Sequence, residues 1–595
     1  MSHHIQGEQL SDSQSSSHSR NLLTKETFEG SDEANGKLDT DLEQAPQQYH
    51  PTGENNNNND NYDNDGDILL NYYPDMINAE SDPHLSREIS RRITNSGGSF
   101  RTVQVPPNST MHLIGEGREL PPSLPDRTPY TVSFAGVDDP YHPHNYPMWK
   151  KVMFSICVAF SALSVSLGSA MFSNGNEQIM EEFHVGWTVA ALGTSLYVFG
   201  FAAGPVIHGP MCEILGRKFI MVLSCLGYVS FSFGVSTAKD IQTVMICRFF
   251  AGFIGSAPYV VAPAVMVDLF RAQWRGVAIA IFVCMLFGGP VIAPVLGGFT
   301  AKNSSLGWRW CSYFSAIVGC LALFCNTFLL EETHHPLLLA KKAEFLRRHT
   351  GNWGIFAPHE EVSLDLKEIV ESRLARPIKL LFTEPIIFLI SIYNAFIYGM
   401  LYMFLTAVPL IFQTRYHWRQ GVAELPYISM LLGVFSGGGM IVLYELHVQK
   451  RQMSGGRKVT PEDRLPPVMV GGFTFVIGIF WMGWTGDYAE HVHWIVPTIG
   501  AFFIGNGLMA IFLPTMNYVI DCYLFIAATA LAANTFVRSS VAAAFPLFAR
   551  QMFVNLTIKW ASTLVGCLAL LMIPLPFLFY RYGAAIRRKS KYALH

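Results

Sequence analysis

Twelve apolar runs beyond Val152 decide what this chain can become. They centre near Phe160, Leu196, Leu226, Ile254, Met285, Leu321, Ile392, Leu432, Val476, Ile504, Ala533 and Leu570. Each is long enough to cross a hydrocarbon layer about 30 Å thick. Lipid offers no water to a bare N–H or C=O, so such a run closes its hydrogen bonds within itself and becomes a helix. The predicted fold class is an all-α polytopic membrane protein with twelve transmembrane helices. Composition agrees, because half the residues are hydrophobic and only 15% are charged although the first quarter is very polar.

Residues 1–145 are rich in Ser, Asn, Asp, Gln and His, contain the run Asn55 to Asn59, and show no apolar periodicity. Such a stretch buries too little apolar surface to offset its chain entropy, which predicts a disordered N-terminal tail. No apolar run of signal-peptide type stands before Val152. The remaining chain divides into a six-helix bundle over 146–332, a basic central loop over 333–384, a second six-helix bundle over 385–582 and a basic tail over 583–595. Within the loop, Leu337, Leu338 and Leu339, and then Leu364, Ile369 and Leu374, predict short amphipathic helices on the membrane surface.

A net charge of −3 excludes nucleic acid as a natural partner and leaves the placement of Lys and Arg as the useful signal. Lys150, Lys151, Arg217, Lys218, Arg271, Arg275, the central loop, Lys450, Arg451, Arg457, Lys458, Arg464 and Arg587 to Lys589 all fall on one side of the predicted topology. The positive-inside rule then makes both termini cytoplasmic. Sequons at Asn303 and Asn555 fall in predicted outer loops, close to the membrane. The ten cysteines are scattered without CxxC or Cys/His ligand spacing, so no metal is expected. His334-His335 and His491-x-His493 are the close histidine pairs of the spanning region, and neither has further histidines at the spacing of a membrane di-metal enzyme.

Polar residues within the runs carry the candidate chemistry. Gly209 to Lys218 joins the second and third runs. Gly209 and Gly216 permit close approach or positive φ there, while Glu213, Arg217 and Lys218 form a compact charge relay or an ordinary topology signal. Arg248, in Arg248-Phe-Phe-Ala-Gly-Phe-Ile-Gly255, is costly in lipid unless it meets a partner or a wet path, and its alternative is to reach the interface. Gly288 to Gly298 sets Gly289, Pro290, Pro294, Gly297 and Gly298 in one apolar helix, either as a gate between halves or as a simple kink. The acids Glu213, Asp268, Glu445, Asp521 and Glu177 are the candidates for carrying a proton, each near a span end.

These stretches resemble the major facilitator superfamily, and within it the fungal twelve-span drug:proton antiporters of the polyamine and multidrug exporter branch. Gly209 to Lys218 is similar to the family's loop between spans two and three, with Glu213 where Asp is usual and Ile214 where a basic residue is common. Arg248 with Gly252 matches the fourth-span arginine motif. Gly289 to Gly298 resembles the antiporter motif of span five, with Ala293 before Pro294 where Gly is preferred. Glu332-Thr-His-His-Pro336, Pro461 to Leu465, Asn517 to Asp521, and Phe545-Pro-Leu-Phe548 follow in the branch's order.

The resemblance implies a central cavity lined by spans one, four, seven and ten. Tyr393, Asn394, Tyr398 and Tyr402 of span seven, Asn506, Met509 and Phe512 of span ten, and Asn534 and Arg538 of span eleven are the candidate substrate contacts. Aromatic faces attract protonated amines and also accept flat apolar drugs, although Tyr and Met are frequent packing residues too. The expected function is proton-coupled antiport by alternating access, exporting polyamines or diverse drugs, with no cofactor besides the proton gradient. A proton-coupled importer of the same fold is the alternative. Expected partners are the bilayer and small molecules, for a monomer in the plasma membrane or the vacuolar membrane.

Overall fold

The computed structural model describes residues 130–135, 139–303, 305–361, 375–453, 460–523, 526–588, 590 and 592. Among the described residues, eleven helical segments are long and apolar enough to cross a membrane: Met148–Phe183, Trp187–Ile214, Arg217–Thr237, Ile241–Leu269, Trp274–Lys302, Gly307–Phe328, Pro385–Arg415, Val422–Val448, Pro461–Asp487, Ile495–Cys522 and Thr529–Arg587. The last has 59 residues, which as one helix would run about 88 Å, nearly three bilayer cores. Thr557 breaks it with a non-helical backbone at φ 62° and ψ 161°. Residues 529–556 form the eleventh span and 558–587 the twelfth, so the chain makes twelve crossings.

Each half is assembled by the same contacts. In the first half, span one packs against five and six, and spans two and three pack against four. In the second, span seven packs against eleven, and eight and nine pack against ten. A Cβ at Gly252 would overlap the Tyr197 carbonyl where span four crosses span two, and one at Gly505 would overlap the Met430 carbonyl where ten crosses eight. Contact this close, between backbones, is the means of association for helices that gain little by leaving lipid. The halves meet where span two lies on eleven and span five on eight.

Proline and polar caps set the ends. Pro385 and Pro466 open spans seven and nine, where a missing N–H costs nothing. The Asp240 carboxylate accepts from Thr243 N at 2.7 Å at the head of span four. Between spans two and three the turn is shorter than expected, because helix continues through Gly209 and Pro210 to Ile214. Gly216 alone takes positive φ there, at 91°, while a Cβ at Gly209 would only touch Val260 at 3.7 Å.

The end of the bundle carrying the central loop, called here the loop end, holds a matched pair of ionic locks. Arg217 Nε donates to Asp268 Oδ2 at 3.2 Å, and Arg464 Nε to Asp521 Oδ2 at 2.9 Å. Each joins the start of the third span of a half to the end of the fourth. Arg464 also pairs with Glu445, and Arg587 grips Glu462 through two bonds of 2.9 Å. Helices His335–Thr350 and Ala375–Thr383 cross the loop, and Leu337, Leu338 and Leu339 belong to the first. Leu364, Ile369 and Leu374 lie outside the described residues, as does the expected tail up to 129.

Described chain begins at Tyr130, inside the stretch assigned to that tail. It forms a strap on the loop: Val132 N donates to Phe356 O at 2.9 Å and Phe356 N to Tyr130 O at 3.1 Å. Val132, Ala343 and Ala357 make a small core beneath it.

Candidate functional site

At mid-depth an aromatic cage surrounds one buried cation. The Arg538 guanidinium of span eleven lies 4.5 Å from the Tyr398 ring centre and 5.0 Å from that of Phe512. Phe287 of span five stands edge-on to both, at 5.9 and 4.7 Å between centroids. Tyr402, one turn beyond Tyr398, shares a 2.9 Å hydrogen bond with Ser169 of span one. Residues four apart lie on one helix face, which is why Asn394, Tyr398 and Tyr402 form one stripe. The cage thus draws on spans one, five, seven, ten and eleven, and so on both halves.

Several polar atoms beside it are buried and have no partner among the described residues: Arg538 Nε, Asn394 Nδ2, Asn534 Oδ1, Ser539 Oγ and Tyr259 OH. Asn394 Oδ1 accepts from Thr515 at 2.9 Å, and Asn534 Nδ2 donates to Ser391 at 3.3 Å. Buried polar groups are normally satisfied, and unpaired ones mark places where water or a ligand is bound.

Arg248 is as buried as Arg538, which rules out a reach to the interface, and its partners are carbonyls. It donates to Gly193 O at 3.0 Å, Gly168 O at 2.9 Å and Ser169 O at 3.2 Å, between the rings of Phe172 and Tyr197. Among the described residues no carboxylate pairs with it. Its place is that of a pin holding spans one and two to four.

A different acid lies where spans one, five and eight meet. Glu424, at the head of span eight, is buried at the end opposite the loop. Asn174 Nδ2 of span one donates both to Glu424 Oε1 and to the Pro294 carbonyl, each at 3.3 Å, and Gln420 Nε2 donates to Asn174 O at 3.1 Å. Glu424 Oε2 has no partner among the described residues. At the other seam, Arg550 of span eleven lies 4.1 Å over the Trp187 ring of span two.

The span-five motif serves two faces. Cβ atoms at Gly289 and Gly297 would collide with Ser166 and Asn174 of span one, whereas one at Gly298 would lie 2.6 Å from Glu424 Cγ. Pro290 and Pro294 sit inside one continuous helix. Gly298 therefore meets Glu424, Gly297 and Pro294 meet Asn174, and Gly289 packs span five on span one within its own half.

Other expected positions fall elsewhere. Tyr393 points away from the cage, with its hydroxyl beside Gly472 of span nine, and Asn506 and Met509 meet Ser436 to Gly438 of span eight. Asp268, Asp521 and Glu445 are ion-pair partners at the loop end. Arg217 and Lys218 present their backbone N–H groups to Glu332, at 2.9 and 3.2 Å. Glu213 stands half-buried nearby and Glu177 is exposed. The relay expected within Gly209 to Lys218 is thus drawn from three elements. Sequence reasoning missed Glu424, Asn174 and Phe287. The signal for Glu424 was an acid two residues before Pro426, inside an otherwise apolar span head.

Residues 158–546 match the Major Facilitator Superfamily. The chain is 64% identical over 519 residues to the major facilitator superfamily multidrug transporter FLU1 of Candida albicans, covering 87% of this chain and 85% of that protein. It is 46% identical over 516 residues to the multidrug transporter TPO1_2 of Candida glabrata, covering 87% and 88%. Among solved structures, the MFS proton:xylose symporter XylE bound to 6-bromo-6-deoxy-D-glucose aligns with a TM-score of 0.54 at 16% identity, over 73% of this chain and 96% of its own, a likeness of fold alone. With the fold, the span motifs and these relatives in agreement, the chain belongs to the major facilitator superfamily of membrane transporters.

Proposed function

We propose that this protein exports structurally diverse, largely apolar drugs from the cytosol in exchange for protons. The carrying observation is the aromatic cage around Arg538, built from both halves and edged by unpartnered polar atoms. Flat apolar molecules gain from such a wall without demanding a fixed hydrogen-bond pattern, which suits a broad substrate range. Its relatives at 64% and 46% identity carry the name of multidrug transporter. Polyamines face a heavier electrostatic cost beside a buried guanidinium, unless a mobile acid screens it.

Glu424 is the proton carrier in this reading. Coupling needs a carboxyl whose surroundings alternate between water and protein as the halves rock, and Glu424 lies at the seam with one oxygen unpaired. Asn174 then reports its state to Pro294 of the span-five motif. The loop end faces the cytosol, as the distribution of Lys and Arg supports, and the plasma membrane is the proposed site.

The test is uptake into inside-out vesicles under an imposed pH gradient, with a panel of azoles, spermidine, spermine and weak organic acids. Gradient-dependent accumulation of azoles is expected. Accumulation of spermidine alone would move the substrate class to polyamines, and accumulation only in right-side-out vesicles would make the protein an importer.

A further inference from the structure

Three imidazoles meet at the loop end, outside the spans, and the transport reading uses none of them. His142 and His144 flank Pro143 in the strap, in the short turn Pro143–Asn145, and His335 opens helix His335–Thr350. The strap is anchored on either side of them. Its pairing with Phe356 holds residues 130–132. The buried Asp139 carboxylate accepts from Ala135 N at 2.8 Å, Tyr141 N at 2.9 Å and Lys342 Nζ at 2.9 Å.

The ring centroids lie 4.8 Å apart for His142 and His144, 4.7 Å for His142 and His335, and 5.6 Å for His144 and His335. One ligating nitrogen from each lies within 4.8 Å of the others. His335 is only 9% exposed, and its Nε2 has no partner among the described residues, nor has the buried Nδ1 of His144. Two orphaned imidazole nitrogens turned into one cluster are a costly arrangement unless something occupies it.

We infer that His142, His144 and His335 bind one divalent transition-metal ion of the zinc class. Imidazole suits zinc, copper and nickel, and with no carboxylate among the three donors magnesium and calcium lack their oxygen ligands. Burial, above all, pushes His142 and His335 down to about 4 and His144 down to about 3. Neutral imidazole is the form that ligates. Lys151 and Arg271 act in the same direction as burial at His144, while Asp139 and Asp268 oppose Arg271 at His142 and a hydrogen bond to the Asp268 backbone opposes Arg217 at His335.

Metal–nitrogen bonds of about 2.0–2.1 Å place tetrahedral donors about 3.3 Å apart, so the rings draw together on binding. His142 Nδ1 accepts from His144 N at 3.1 Å. Ligation through Nδ1 replaces that bond, and ligation through Nε2 shifts the ring proton to Nδ1 and ends it too, a local adjustment at the cap of one three-residue 3-10 turn. The fourth position is left to water. Bound metal would clamp the strap to the helix that follows span six, and so join the entry of span one to the exit of the first half.

The experiment uses the full chain in lipid nanodiscs, stripped with a chelator, then titrated with Zn2+ by calorimetry and with Co2+ by visible absorption. One saturable equivalent is expected, with affinity falling more than about tenfold in each of His142→Gln, His144→Gln and His335→Gln. Zn2+ raises the melting temperature of the wild type, while each variant, whatever its own metal-free melting temperature, shows no such rise. His144→Cys retains one equivalent and adds a thiolate-to-Co2+ charge-transfer band. A wild type with no saturable equivalent overturns the inference. So does unchanged affinity in His144→Gln and His335→Gln, which would place the metal elsewhere, such as on His3 and His4.

Discussion

The Asn174 amide of the first half donates to the Glu424 carboxylate of the second at 3.3 Å, and from the same nitrogen to the Pro294 carbonyl. That one amide ties an acid at the seam to the proline-rich fifth span, so parting the halves at this end must break it. In the proposed mechanism, protonation of Glu424 weakens this charge-assisted bond and so favours opening of the seam.

Glu424→Gln is expected to keep substrate exchange across vesicles at equal pH, and to lose gradient-driven accumulation by about tenfold or more. The amide keeps the shape of the carboxyl and removes only its proton chemistry. Normal accumulation in this variant would assign proton transfer to another group.

Arg248→Ala removes the charge-assisted hydrogen bonds to the carbonyls of Gly168, Gly193 and Ser169, each worth about 1.5–3 kcal/mol. Arg248→Lys restores charge without the planar fork and recovers only part of that loss. Both variants are expected to melt earlier and to yield less folded transporter. A fully stable Arg248→Ala with normal pH dependence would show that the pin is dispensable.

Breaking the Arg217–Asp268 pair from one side strands a buried charge, at a cost of about 3–5 kcal/mol. Arg217→Met and Asp268→Leu are each expected to destabilise the protein strongly, and the double variant to recover much of the loss. Glu213→Ala is expected to cost less than either single change. Thermal melting of the four variants in detergent measures the coupling.

Gly252→Val drives a side chain into the Tyr197 carbonyl and should abolish folded expression, while Gly209→Ala, with 3.7 Å to Val260, should be tolerated. The two together test whether close approach at Gly252, rather than glycine content in general, holds spans two and four together. Equal yields from both would contradict the packing.

Tyr398→Ala removes one wall of the cage and is expected to weaken drug binding several-fold, with a different effect on each drug. Tyr393→Ala, whose ring faces span nine, should leave affinities near wild type. Direct binding of a fluorescent substrate separates the two. Equal losses would return Tyr393 to the substrate wall.

Much of the fold was legible because the solvent dictates it. A run near Ile392 or Met285 has no stable state in lipid except a helix, so crossings can be counted from apolar length alone. The break at Thr557 falls in the outer loop expected around the Asn555 sequon, and the count agrees with length, because 59 residues exceed what one crossing can use. The order of the span motifs likewise placed Arg248, Arg217 and the fifth-span prolines on their helices.

Which side chains meet was decided only by tertiary packing. Helical residues point in directions that repeat every 3.6 positions, so Tyr393 and Tyr398 look alike in the sequence and face opposite ways once span seven is set against its neighbours. Arg217 finds Asp268 across 51 positions, Asn174 finds Glu424 across 250, and His335 meets two histidines nearly two hundred residues earlier. The amino-acid sequence by itself determined a twelve-span transporter with polar motifs at known depths, because hydrophobic length and helix periodicity are local properties. The gate, the cage and the histidine cluster came only with the tertiary structure, because pairwise contacts between distant segments depend on how whole helices cross.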